Sequence, residues 1–164
     1  MNFDFIVTAC YAETLLVNKL GFPTENHQNG DGQVINILDN TNRISPAQVL
    51  IGVMDKPVGG SPSHIPNLYA DIDTAPYGLF LKQRKNSNRY IIYINEVFEE
   101  WIQKISKTKN IPRPFPMDDI KFKSEMKRGT DWKIISYIER VTQSNTQTFN
   151  KVRNWIQELD DQQK

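Results

Sequence analysis

A chain of 164 residues and 19.0 kDa has the size of one ordinary domain, and its 38% hydrophobic and 10% aromatic content supplies enough apolar surface to exclude disorder. A single cysteine, Cys10, excludes an internal disulfide framework, and no run approaches the roughly 18 to 20 apolar residues that a bilayer crossing demands. The net charge of +1 hides an imbalance: residues 1–81 carry three basic and eight acidic groups (a net of −5), the remainder 17 and 11 (a net of +6), an asymmetry that points to a polyanionic partner. The opening residues lack the basic and apolar blocks of a secretory signal, so one cytoplasmic domain spanning 1–164, with no membrane association, is the expectation.

Apolar positions Phe5, Ile6, Ala9, Cys10, Ala12, Leu16, Val17 and Leu20 recur at three- and four-residue steps, which predicts a helix over 3–20 stopped by Gly21 and Pro23. The polar stretch 24–33 reads as a loop reversing at Gly30 and Gly32, followed by a strand over 34–38. Ser45 and Pro46 suit a turn, and the apolar run 49–54 suits a buried strand. Residues 55–68 hold three prolines and two glycines, so they can continue neither helix nor sheet and form a long surface loop. Two β-rich runs, 77–83 and 89–94, joined by five polar residues, form an antiparallel hairpin. Asn95 suits the cap of a helix reaching Ser106, and residues 107–117 form a basic, proline-rich linker. Asp118 and Asp119 cap a further helix, and Asp131 caps another. A break at 142–145 leads to the closing helix, which carries Phe149, Val152, Trp155, Ile156 and Leu159. The class is therefore α+β: an N-terminal helix, a central, mostly antiparallel sheet of four or five strands, and a helical C-terminal third.

Glu13 falls on the Cys10 and Val17 side of the first helix, where burying a charge demands a cation or a hydrogen-bonding partner. Asp71 and Asp73 project to one side if 69–74 is extended, and Lys82 lies on the strand that follows. Carboxylate oxygens suit Mg²⁺, and a nearby lysine is placed to orient a water toward a phosphodiester. The order of helical Glu, then Asp, then Lys on the next strand resembles the active-site layout of the PD-(D/E)XK nuclease superfamily, and the helix from Glu13 to Phe22 is similar to the opening helix of some junction resolvases. That resemblance implies Mg²⁺ on Glu13, Asp71 and Asp73 with Lys82 assisting the water. The chain departs from the pattern at Phe80, where the family carries an acid two residues before the lysine.

The closing helix offers a second candidate. Its outward face, Gln147, Thr148, Asn150, Lys151, Arg153, Asn154 and Gln157, combines amides that read base edges with cations that meet phosphate, and Lys85 and Arg89 at the hairpin add two more cations. A preceding helix and short turn give this segment the outline of a helix-turn-helix. His64 stands in the long loop near Ser61 and Ser63 as a candidate general base, whereas Cys10 on its apolar stripe reads as core and not as a nucleophile. The sequence thus points to a nucleic-acid-binding protein with a metal-dependent nuclease activity. Its rival is a non-catalytic module that presents the Pro-rich segments 55–68 or 107–117 to a protein partner.

Overall fold

The computed structural model describes residues 4–25, 27–28, 30–40, 47–56 and 65–164. Eleven elements follow one another: β1 (Ile6–Thr8), α1 (Tyr11–Lys19), α2 (Asp31–Asp39), β2 (Leu50–Asp55), β3 (Tyr69–Ala75), β4 (Leu79–Arg84), β5 (Arg89–Ile94), α3 (Phe98–Thr108), α4 (Asp119–Arg128), α5 (Trp132–Ser144) and α6 (Thr146–Asp161). The fold is α+β with a helical C-terminal region, as the sequence indicates, but the five-stranded sheet is mixed, in the order β1-β2-β5-β4-β3. β1, β2 and β5 run parallel, while β3 and β4 form an antiparallel extension beside β5.

Two elements differ from the sequence reading. The helix expected over 3–20 is interrupted: Ile6–Thr8 leaves it to pair with Ile51–Val53 as an edge strand, and the helix begins only after Cys10. The strand expected over 34–38 is part of α2 instead. Val34 and Leu38, one helical turn apart, lie against Gly52 of β2, where a β-carbon would sit 2.7 Å from Val34 and 3.0 Å from Leu38. Glycine at that point of the sheet is what lets the helix approach so closely. β5 is buried along its whole length, with β2 and β4 paired to its two edges. The capping expectations hold at Asp118, whose carboxylate accepts from the Lys121 N–H (2.8 Å), and at Asp131, which accepts from Lys133 (2.8 Å), but not at Asn95: α3 begins at Phe98 with Val97 as its N-cap, and the Phe98 N–H is met by Asp55 instead.

One contiguous core joins the sheet to all six helices, from Phe5 to Leu159. No helix among the described residues is long and apolar enough to cross a membrane.

Candidate functional site

Because β1, β2 and β5 are parallel, their carboxyl ends share one edge of the sheet, the position where open α/β sheets leave a crevice for ligands. Three helices start there. Cys10, extended at φ −149°, is the N-cap of α1; Gly30, at φ +94°, is the N-cap of α2 and donates its N–H to the Ala9 carbonyl (3.0 Å). Asp55, the last residue of β2, accepts through Oδ2 from the N–H of Phe98, the first residue of α3 (2.8 Å).

Glu13 points into this junction. It is the third residue of α1, where a glutamate would ordinarily fold back to its own N-cap, but here it turns inward and is 0% exposed. Its carboxyl oxygens meet no donor in good hydrogen-bonding geometry among the described residues, and the groups beside them, the Cys10 thiol and the Asp55 carboxyl, are close enough to share a proton with it. Cys10 and Asp55 lie close enough to influence its protonation; burial first, then the Asp55 charge, push the Glu13 carboxyl well above the usual carboxylate range. Burial also raises Asp55 against the pull of its Phe98 bond, and raises Glu99, whose neighbour is again Asp55. The Cys10 thiol, at a helix N-terminus after all, is pushed up by burial and by Glu13, so it is the opposite of an activated nucleophile. Its expected mid-helix position is corrected by the entry of β1, which leaves it as the N-cap of α1.

The remaining sequence candidates lie elsewhere. A β-bulge between Asp71 and Asp73 sets Asp71 opposite Lys82 and Asp73 opposite Leu81. Adjacent residues of β4 face opposite sides of the sheet, so the bulge sends the two aspartates to opposite sides as well, against the expectation of a shared face. Asp71 is bound by Lys82 at 2.6 Å, with that ammonium 5.7 Å from the ring centres of Phe80 and Tyr93. Asp73 accepts from the Trp155 indole (2.8 Å) and pairs with Lys151 (3.0 Å); the indole bond above all, with Lys151, lowers its pKa to about 2. β3 and β1 are opposite edges of the sheet, four strand spacings or about 19 Å apart. Glu13, Asp71 and Asp73 therefore do not converge on one metal ion, and Lys82 serves as a partner for Asp71. His64 lies outside the described residues.

The nucleic-acid candidates are also redistributed. Arg89 is only 3% exposed and donates to the carbonyls of Leu38 (3.0 Å) and Gln48, tying α2 and the segment before β2 to β5. On α6, Thr148 is buried, Lys151 is paired with Asp73, and Arg153 donates to the Leu20 carbonyl (3.3 Å) and to Asn150 (2.7 Å), so the cations of the supposed recognition face are committed internally. Asn150, Asn154 and Lys85 are exposed. The basic excess sits elsewhere: residues 104–133 hold nine basic and four acidic groups.

Asp55 is the residue that the sequence reading missed, although an acid closing a buried apolar run was its visible signal. No group of three or more His, Cys, Asp or Glu side chains among the described residues is arranged to hold a metal. Glu13 and Asp55 form a pair, and Mg²⁺ is commonly bound by one or two carboxylates with water and substrate phosphate completing its shell. No protein-family model, curated protein or solved structure matches the chain.

Proposed function

We propose that the chain is a nucleic-acid-binding protein with a metal-dependent phosphodiesterase activity, its divalent cation held by Glu13 and Asp55. The observation that carries this reading is the wholly buried Glu13 carboxyl set beside the Asp55 carboxyl, with no cation paired to either, near the carboxyl ends of β1 and β2 among the described residues. An isolated carboxylate at such a site is costly, so without a cation Glu13 keeps its proton. Glu13 and Asp55 would hold a divalent cation in place of that proton, and both acids would then be favourable as anions.

The residues present fit a hard, oxygen-preferring ion: two carboxyl groups, and a thiol held protonated and so unsuited to compete as a ligand. Such an ion, when bound, polarises a phosphoryl oxygen and lowers the pKa of water. The chain's own part is to fix Asp55 on the end of a buried strand and Glu13 on the first turn of α1, and to exclude water behind them with the α1 and α3 first turns. The excess of cations over residues 104–133 supports a polyanionic substrate.

The test is to incubate end-labelled single- and double-stranded oligonucleotides with the protein in Mg²⁺ or Mn²⁺ and to run Glu13→Gln and Asp55→Asn beside it. Metal-dependent cleavage by the native chain that both variants lose is the expected outcome. Intact substrate in every lane, or equal cleavage by the variants, overturns the assignment.

A further inference from the structure

The linker before α4 and the first turns of α5 enclose a second feature that the metal site does not use. Pro112, Pro114 and Phe115 form one wall, Trp132, Lys133, Ser136 and Arg140 the other, and Tyr137 the floor, around a cleft of about 200 Å³. Ordinary small-molecule pockets run from roughly 300 to 1,000 Å³, so this one suits the entry of a single flat ring and not the enclosure of a whole ligand.

Its aromatic walls are unusually bare. Phe115 is 89% exposed and Trp132 72%, while Trp101 and Trp155, the other two tryptophans, are buried. Bare aromatic rings of this size lose the burial that normally holds such residues, which marks a surface meant for contact. The rims are cationic. The Lys133 ammonium lies 5.8 Å from the centre of the Trp132 ring and donates to the Phe115 carbonyl (3.2 Å), bridging the two walls. Arg140 is exposed and makes no ion pair among the described residues. Tyr137 is fixed by its bond to Ser106 (2.7 Å) and by an edge contact with Phe122, so the floor is rigid.

We propose that this cleft binds an unpaired base of a single-stranded nucleic acid, stacked against Trp132 and Phe115, with Lys133 and Arg140 at the phosphates on either side. Base stacking on aromatic faces with cations tracking the backbone is how single strands are held without sequence readout. A duplex keeps its bases stacked on one another and offers no free ring to the cleft. The inference rests on the nucleic-acid reading above, but not on the metal.

It is therefore tested in EDTA. A fluorescein-labelled oligothymidylate of about 12 nucleotides is titrated by anisotropy at two salt concentrations against the native chain, Trp132→Ala, Phe115→Ala and Arg140→Gln, with circular dichroism as a folding control. Alanine at a stacking position should weaken binding by roughly 5- to 100-fold, and tryptophan quenching by the oligonucleotide should vanish in Trp132→Ala. Arg140→Gln should weaken binding and flatten its salt dependence by about one unit of slope. Native-level binding by both alanine variants, or a duplex binding as tightly as the single strand, overturns the cleft while leaving the nucleic-acid reading in place. Absence of binding by the native chain at low salt overturns both, and capture of a proline-rich peptide in place of the oligonucleotide assigns the cleft to a protein partner.

Discussion

Replacing Glu13 by glutamine keeps the shape of the side chain and removes its ionisation, which isolates the cost of charging the buried carboxyl. In the unfolded chain this group ionises near the ordinary glutamate value of about 4.3, whereas in the folded chain burial and the Asp55 charge hold the proton well past that point. A folded pKa above the unfolded one contributes stability that is complete below the unfolded value and is lost as pH rises toward the folded one. Across that window the native chain loses up to about 1.4 kcal/mol per pH unit relative to Glu13→Gln. For a domain of this size that is roughly 3–5 °C of melting temperature per unit. Melts or urea titrations from pH 4 to 8 in EDTA should show the two proteins closest near pH 4, with the variant increasingly the more stable above it. A pH-independent difference, or one that favours the native chain as pH rises, refutes the reasoning.

Other consequences are more local. Gly52→Ala places a methyl group 2.7 Å from Val34 and should cost about 1–3 kcal/mol in urea denaturation; an unchanged midpoint would mean that α2 does not pack as described. Arg89→Met orphans the carbonyls of Leu38 and Gln48 and should destabilise by about 1–3 kcal/mol per acceptor in the same assay, with oligonucleotide affinity unchanged in the folded fraction. Asp73, held at about 2 chiefly by Trp155, contributes stability above the unfolded aspartate value that is lost as pH falls through the folded one. Trp155→Phe should therefore move its carboxyl titration, followed by NMR, upward toward the ordinary range; an unmoved titration would assign the depression to Lys151.

What the sequence disclosed was local chemistry. The β4–β5 hairpin and the caps at Asp118 and Asp131 each rest on residues within a few positions of one another, and each is found where the pattern puts it, whereas the break expected over 142–145 narrows to Asn145 alone because α5 runs on to Ser144. Long-range pairing was less visible. β1 is three residues long and lies inside a run whose apolar spacing also fits a helix, so only its partner, Ile51–Val53, identifies it. The Val-Ile-Asn-Ile-Leu run of α2 is rich in β-branched residues, and its contact with Gly52 outweighs that preference. The site followed the same rule. Glu13 is legible as a charge on an apolar stripe, but the sequence pattern points to partners on the antiparallel strands, because the parallel order that brings Asp55 to it is set by tertiary pairing. The bulge that separates Asp71 from Asp73 has no marker in the sequence around Ile72.

Calorimetric titration of Mn²⁺ into the native chain and into Glu13→Gln, near neutral pH and in two buffers of different ionisation enthalpy, bears most directly on the pairing of Glu13 with Asp55. Saturable binding by the native chain with proton release, weakened at least tenfold and stripped of that release in the variant, is the predicted result. Equal affinity in both proteins, or no heat of binding in the native chain, contradicts the exchange of a buried proton for a cation.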